Sequence, residues 1–261
     1  MKLVEGSCRM RIVYGPVASW RLGISLGIDP ICEMKACSFD CIYCQCGRTT
    51  RKIVEREVFV DPERLEQELM AYPYVSQVAD VATFSGSGEP SLNKRLGRMI
   101  EVVRGISRLP VAVLTNSSLM YDRSVRNDLS KADIVVAKLD APNRRLFQEI
   151  NDPHPEIDFD SMLEGMMKFR DEFDKVYALQ MMFVDQNKPY AKEMREIAEE
   201  IKPDEVQINT PSRANKPKLS ADELRKVSEV FEGINYISYY ESRKVRIKPF
   251  DKLETLKRRP E

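Results

Sequence analysis

Three cysteines, Cys37, Cys41 and Cys44, separated by three and then two residues, constrain this chain more than any other feature. Thiols so close in sequence cannot form separate disulfides without strain, and an odd number cannot pair fully. They read as ligands of one inorganic centre. Four cysteines would close such a centre for electron transfer, whereas three leave one iron open to an outside molecule. A structural zinc is the plainer alternative, but zinc wants a fourth Cys or His at short spacing. The only histidine, His154, stands far downstream in an Asn-Asp-Pro-His-Pro turn.

Composition narrows the setting. Six cysteines in 261 residues, four of them between Cys37 and Cys46, do not resemble a secreted disulfide framework, so a reducing cytoplasm is expected. No apolar run approaches the roughly 18 residues of a membrane span, and no secretory signal is expected from the first residues. Lys+Arg and Asp+Glu each number 41, so net charge gives no nucleic-acid signal.

Around the cysteines, short apolar runs alternate with helical patterns. Strands are expected at residues 11–14, 24–28, 80–84, 111–114, 134–137, 176–184, 205–209 and 234–240. Helices are expected after Asp61-Pro62, a cap followed by a first-turn proline, and at 93–105, 122–129, 143–150, 158–174, 191–201 and 221–231. Such alternation with short connections implies a parallel sheet with right-handed crossovers. Nearly every strand end carries a polar or glycine-rich loop, whereas an open two-faced sheet gathers its ligand residues at one switch point. The fold class is therefore α/β, a partial (β/α)6 TIM-like barrel with the cysteine loop at the C-terminal face of its strands. One domain is expected over 1–261, with a core at about 10–215 and a C-terminal extension at 216–261. The glycine-rich stretch 15–29 reads as a loop leading into a strand.

The strand ends carry the remaining chemistry. In Ser85-Gly-Ser-Gly-Glu-Pro90, Gly86 and Gly88 let the backbone approach a ligand, Ser87 lies between them, and Glu89 offers a carboxylate to a cationic amine. A plain strand-to-helix turn is the alternative. Thr115, Asn116 and Ser117 read equally as ligand contacts or as a helix cap. Lys138 and Asp140 place a charged pair at the next strand end, against the alternative of a salt bridge to neighbouring loops. Asn209 and Arg213 add an amide and a guanidinium suited to a carboxylate or phosphate, unless Arg213 is simply a surface charge. Residues 184–187 are polar candidates without an assigned role.

The cysteine spacing, with aromatic Tyr43 just before the last cysteine, resembles the cluster motif of the radical S-adenosylmethionine (SAM) superfamily. The resemblance implies that Cys37, Cys41 and Cys44 hold a 4Fe-4S cluster whose open iron binds the amino and carboxylate groups of SAM. Ser87-Gly88-Glu89 is similar to the family's Gly-Gly-Glu motif, implying that Glu89 bonds the SAM ammonium. Thr115-Asn116-Ser117 resembles a Thr-Asn-Gly strand end near the SAM ribose and methionine, and Tyr43 would pack near the adenine.

The wider pattern, Tyr14-Gly-Pro-Val, Arg21-Leu-Gly-x-Ser-Leu-Gly-x-Asp29 and Gln207-x-Asn-Thr-Pro-x-Arg213, looks like the compact wyosine-synthase-like Fe–S oxidoreductases. It departs in having Trp20 where many relatives carry a second Arg, and it lacks the length and extra cysteines of true wyosine enzymes. The resemblance implies a SAM-cleaving enzyme served by a one-electron reductant of flavodoxin or ferredoxin type. Its substrate stays open, with a tRNA base among the candidates and no membrane partner. The rival is an iron–sulfur electron carrier, which needs neither Glu89 nor the glycine loop. Cys8, Cys32 and Cys46 read as buried thiols rather than ligands of an auxiliary cluster. The basic stretch from Arg243 through Arg259 reads as a solvated tail rather than an RNA contact.

Overall fold

The computed structural model describes residues 10–32, 35–212, 218–242 and 245–259. Its strands in chain order are β1 (Val13–Ser19), β2 (Gly23–Ile28), β3 (Ala36–Cys37), β4 (Arg51–Lys52), β5 (Val81–Phe84), β6 (Val111–Thr115), β7 (Ile134–Lys138), β8 (Val176–Met182), β9 (Glu205–Asn209) and β10 (Tyr236–Ser238). Eight of them make one curled half-barrel sheet in the order β1-β2-β5-β6-β7-β8-β9-β10, and β3 and β4 pair separately. Only the β1–β2 pair of that sheet is antiparallel. This is the expected partial barrel, with β2 and β5–β9 as its six main strands and a seventh parallel strand, β10, added.

Helices α1 (Pro62–Met70), α2 (Leu96–Ser107), α3 (Arg123–Leu129), α4 (Arg144–Asn151), α5 (Phe159–Glu172), α6 (Ala191–Ile201) and α7 (Ala221–Glu229) follow the strands, and a short α8 (Lys252–Leu256) ends the described chain. Local chemistry sets their starts. Asp122, Asn143 and Asp158 accept first-turn backbone N–H bonds, and Ser220 with Glu223 forms a capping box. Asp61 stands at the start of α1 with Pro62 behind it, but its side chain makes no cap bond.

Strand register divides the sheet into two unlike faces. Leu26, Ala82, Val113, Val135, Leu179 and Ile208 are buried in the apolar core with the helices. Ser25, Thr83, Lys138, Gln180 and Asn209 alternate with them and line the concave side. A closed TIM barrel fills that side with branched apolar residues; here polar side chains stand among Leu114 and Met182, and the face borders an open cavity.

Two expectations need correction. The stretch 15–29 is a β-hairpin rather than a loop, because its glycines solve packing problems. A Cβ on Gly27 would lie 2.2 Å from the Tyr14 ring, so only glycine lets that ring cross the strand. The basic C-terminal stretch is likewise more than a solvated tail. Phe250 N–H donates to Gly15 O at 2.7 Å, Gly15 N–H donates to Thr255 Oγ1 at 3.2 Å, and Arg259 donates to Ala18 O at 3.2 Å. Arg258 is 1 % exposed, while Lys252 and Lys257 stay on the surface. The physical reason is Asp29, a carboxylate buried at the end of β2 that needs a counter-charge. Arg258 Nε supplies it at 2.9 Å. Arg243 and Lys244 lie outside the described residues.

Candidate active site

The cysteine loop leaves β2 at Asp29, whose carboxylate accepts from Ile31 N at 3.1 Å and Cys32 N at 2.9 Å. The β3–β4 ladder ties its base, and Asp40 N and Ile42 N donate to Asn151 O and Ile150 O at the end of α4, each at 3.0 Å. Three cysteines are thus carried on a loop anchored at both sides. Side-chain amides point at two of the sulfurs: Asn116 donates to Cys37 Sγ at 3.5 Å and Asn151 to Cys41 Sγ at 3.4 Å.

Two lysines flank the sulfurs. Lys35 donates to Gly47 O at 2.7 Å, and Lys138 donates to the Tyr43 hydroxyl at 3.1 Å with its ammonium 4.7 Å from that ring's centre. Burial opposes charge on both, yet the cysteines, joined at Lys138 by Asp140, hold each above the ordinary lysine range. A bond from the Cys46 thiol, with help from Lys35, brings Cys44 down to about 5. Burial, then the charges of Glu89 and Cys41, push Cys37 up to about 12.

The Gly86–Glu89 loop lies directly against the cysteine loop. A Cβ on Gly88 would stand 1.9 Å from Ala36 O, and one on Gly86 would stand 2.3 Å from the Asp29 carboxylate carbon. The glycines therefore admit protein as well as ligand. Ser87 Oγ donates to Asp29 at 2.9 Å, and Glu89 N to Ala36 O at 3.0 Å. The Glu89 carboxylate is buried and accepts three bonds: Ser91 N at 3.0 Å, Thr115 Oγ1 at 2.7 Å and Asn116 N at 2.7 Å. Burial raises its pKa, and those bonds oppose the rise. With about four lone-pair directions on a carboxylate, one remains for a further donor.

One cavity of about 770 Å³ gathers Cys37, Cys41, Tyr43, Cys44, Gly86, Ser87, Gly88, Glu89, Thr115, Asn116, Lys138 and Asn209 on its wall. Two candidates stand behind the wall. Asp140 accepts from the Tyr43 hydroxyl, from Asn151 at 2.9 Å and from Met182 N at 2.9 Å, so it fixes Tyr43 and Lys138 from the rear. Ser117 is buried at φ 70°, the left-handed region where glycine is easiest, and bonds Lys138 O at 3.1 Å. Residues 115–118 do not cap a helix, since Asp122 caps α3. Asn187 braces its own loop through Val184 N, Asp140 O and Met182 O, each at 2.8 Å, and stays off the wall. Arg213 lies outside the described residues, as does Cys8.

Sequence reasoning missed Lys35, Asn151, Arg21, Arg258 and Arg259. Lys35 carried a signal, being two residues before Cys37, and Arg21 stood in the family-like stretch that ends at Asp29; the others are brought to the site by long-range folding alone.

The sequence profile of the Radical SAM superfamily matches residues 34–201. A UPF0026 protein of Synechocystis, slr1464, is 39% identical over 202 residues, covering 77% of this chain and 76% of its own. MJ1312, a UPF0026 protein of Methanocaldococcus jannaschii, is 39% identical over 210 residues, 78% of this chain and 64% of that one. A Brachyspira hyodysenteriae protein named GTPase Obg is 37% identical over 236 residues, and this chain spans 88% of itself but 35% of that longer protein. Among solved structures, Streptococcus suis SuiB bound to S-adenosylmethionine aligns with TM-score 0.62 at 16% identity, covering 82% of this chain and 50% of SuiB. Archaeal TYW1 aligns with TM-score 0.55 at 16% identity, covering 81% and 72%.

The chain belongs to the Radical SAM superfamily, a class that works with a 4Fe-4S cluster and SAM. Within that superfamily, the chain belongs to the UPF0026 family. The donor set fits the cluster. Cys37, Cys41 and Cys44 line one cavity, three thiols that could each take a different iron. None of the described helices is long and apolar enough to cross a membrane.

Proposed function

We propose that this chain acts as one catalytic domain that cleaves SAM reductively and uses the resulting 5′-deoxyadenosyl radical to take a hydrogen atom from a substrate in the same cavity. The observation that carries the proposal is the convergence of the cysteine loop, the Gly86–Glu89 loop and the concave barrel face on one cavity. Cys37, Cys41 and Cys44 would hold the cluster, which when bound would supply the electron and an iron site for SAM.

The chain's own residues do the rest. Asn116 and Asn151 stabilise thiolate charge with their amide N–H groups. Lys35 and Lys138 offset the negative charge of the sulfurs. Glu89 holds the end of β6 in place and offers its remaining lone pair to the SAM ammonium, with the Gly86–Gly88 backbone beside it. Tyr43, fixed by Asp140, forms the side wall on which an adenine can rest.

A flavodoxin- or ferredoxin-type protein in the cytoplasm is the proposed electron donor. A tRNA base is one candidate substrate, and RNA that co-purifies and dissociates with salt would support it. Binding is tested on the reduced, reconstituted protein: SAM should change the cluster's EPR signal. An unchanged signal at saturating SAM contradicts the proposal.

A further inference from the structure

Arg21, in the turn between β1 and β2, lines the cavity, yet Nε and Nη1 of its guanidinium are buried without hydrogen-bond partners. The Trp20 ring stands beside it, its centre 5.1 Å from the guanidinium carbon. Elsewhere the chain matches its buried arginines with carboxylates, Arg258 with Asp29 at 2.9 Å and Arg126 with Glu172 at 2.8 Å. At Arg21 the charges run the other way. Arg259 lines the same cavity and repels it, while Glu205 attracts it only from beyond ion-pair distance and binds Gln207 at 2.9 Å. Burial and Arg259 together lower Arg21 to about 10. Arg259 is also lowered by burial, and its hydrogen bond goes to a neutral carbonyl, Ala18 O. Two half-buried guanidinium groups of like charge around one cavity, one of them with two buried and unpartnered nitrogens, are costly unless an anion joins them.

Position separates this charge from the cluster motif. Arg21 precedes β2 and the cysteines follow it; a strand rises about 3.3 Å per residue, so the ends of the six-residue β2 lie about 16 Å apart. The resemblance assigns the SAM carboxylate to the open iron, at the cysteine end. We infer that Arg21 and Arg259 seat an oxyanion, a phosphate or carboxylate, carried by the substrate, whose reacting carbon then extends along the polar wall toward the cysteines. A guanidinium fork fits either group with paired N–H bonds. The inference rests on the cavity being the substrate chamber, and it defines that substrate as a small anionic molecule or a terminal anionic group.

Trp20 is the chain's only tryptophan, so its fluorescence reports on this seat. The reconstituted protein is titrated at constant ionic strength with inorganic phosphate, with acetate and with chloride as reference. A saturable change in Trp20 emission is expected with phosphate or acetate and not with chloride, and the more effective of the two identifies the anion. Arg21→Gln should raise the midpoint about tenfold, as loss of a charge-assisted pair does, with Arg21→Lys between the two. Lys168→Gln, on the surface of α5, should leave it unchanged. Should Arg21→Gln fail to fold, Arg259→Gln carries the same expectation. No saturable change in the wild type, an equal response to chloride, or unshifted midpoints in the folded arginine variants would overturn the inference. Anion binding without any SAM cleavage would leave the seat standing and sink the proposed function instead; cleavage without anion binding would do the reverse.

Discussion

Replacing Glu89 by Ala separates two roles for this carboxylate. By family resemblance it bonds SAM; in the structure it also accepts from Ser91 N, Thr115 Oγ1 and Asn116 N inside the protein. The Thr115 hydroxyl can rotate toward another acceptor, but the two backbone N–H groups cannot. An orphaned buried donor costs about 1–3 kcal/mol, giving roughly 2–6 kcal/mol for the pair. Relief from burying a carboxylate offsets part of this, leaving about 2–4 kcal/mol. At roughly 2–4 °C per kcal/mol for chains of this size, Tm should fall by about 5–15 °C. The damage should reach Cys37, because Asn116 also donates to its sulfur at 3.5 Å. Thermal unfolding by circular dichroism and iron content after anaerobic reconstitution test both effects. Glu89→Gln, which keeps one acceptor oxygen, should fall between wild type and Glu89→Ala. If Glu89→Ala melts within a degree of wild type and loads full iron while binding SAM poorly, the bracing role is wrong and the carboxylate serves SAM alone.

Three further outcomes follow from the packing and charges. Gly88→Ala should abolish cluster loading, since the added methyl meets Ala36 O at 1.9 Å, backbone against backbone; absorbance near the cluster's visible band reports it, and normal loading would contradict the close approach. Arg258→Ala should cost about 3 kcal/mol, the low end for breaking a buried pair, because Asp29 keeps bonds from Ile31, Cys32 and Ser87; denaturant unfolding measures it, and a loss below 1 kcal/mol would refute the account. Lys138→Met removes a positive charge beside the sulfurs, so the reduction midpoint in a potentiometric EPR titration should fall; an unchanged or higher midpoint would show that Lys138 is electrostatically remote.

What could be read in the sequence was what is local in it. Cys37, Cys41 and Cys44 sit on one loop, and Glu89 and Asn116 lie in the loops that follow strands whose apolar runs are plain, so strand order alone carried them to one cavity. The hairpin at 13–28 was obscured because its glycines, poor in β-propensity, are chosen for close approach, as Gly27 under Tyr14 shows. Arg258 read as surface charge because the Asp29 carboxylate it neutralises is 229 residues away. The barrel's polar interior was hidden for a related reason: in β8 only Gln180 interrupts an otherwise apolar strand, and its importance appears only once register sets it beside Lys138 and Gln207. Asp140 was legible as a site residue, but its place behind Tyr43 depends on the rear contacts with Asn151 and Met182.

The central claim is that the cysteine loop and its cavity cleave SAM. The most direct test incubates the reconstituted protein with SAM and dithionite without oxygen and measures 5′-deoxyadenosine by chromatography. Wild type should release it, and Cys41→Ala, which removes one of the three thiolates, should release none. A wild type whose cluster is intact and reducible, yet which forms no 5′-deoxyadenosine, would contradict the account.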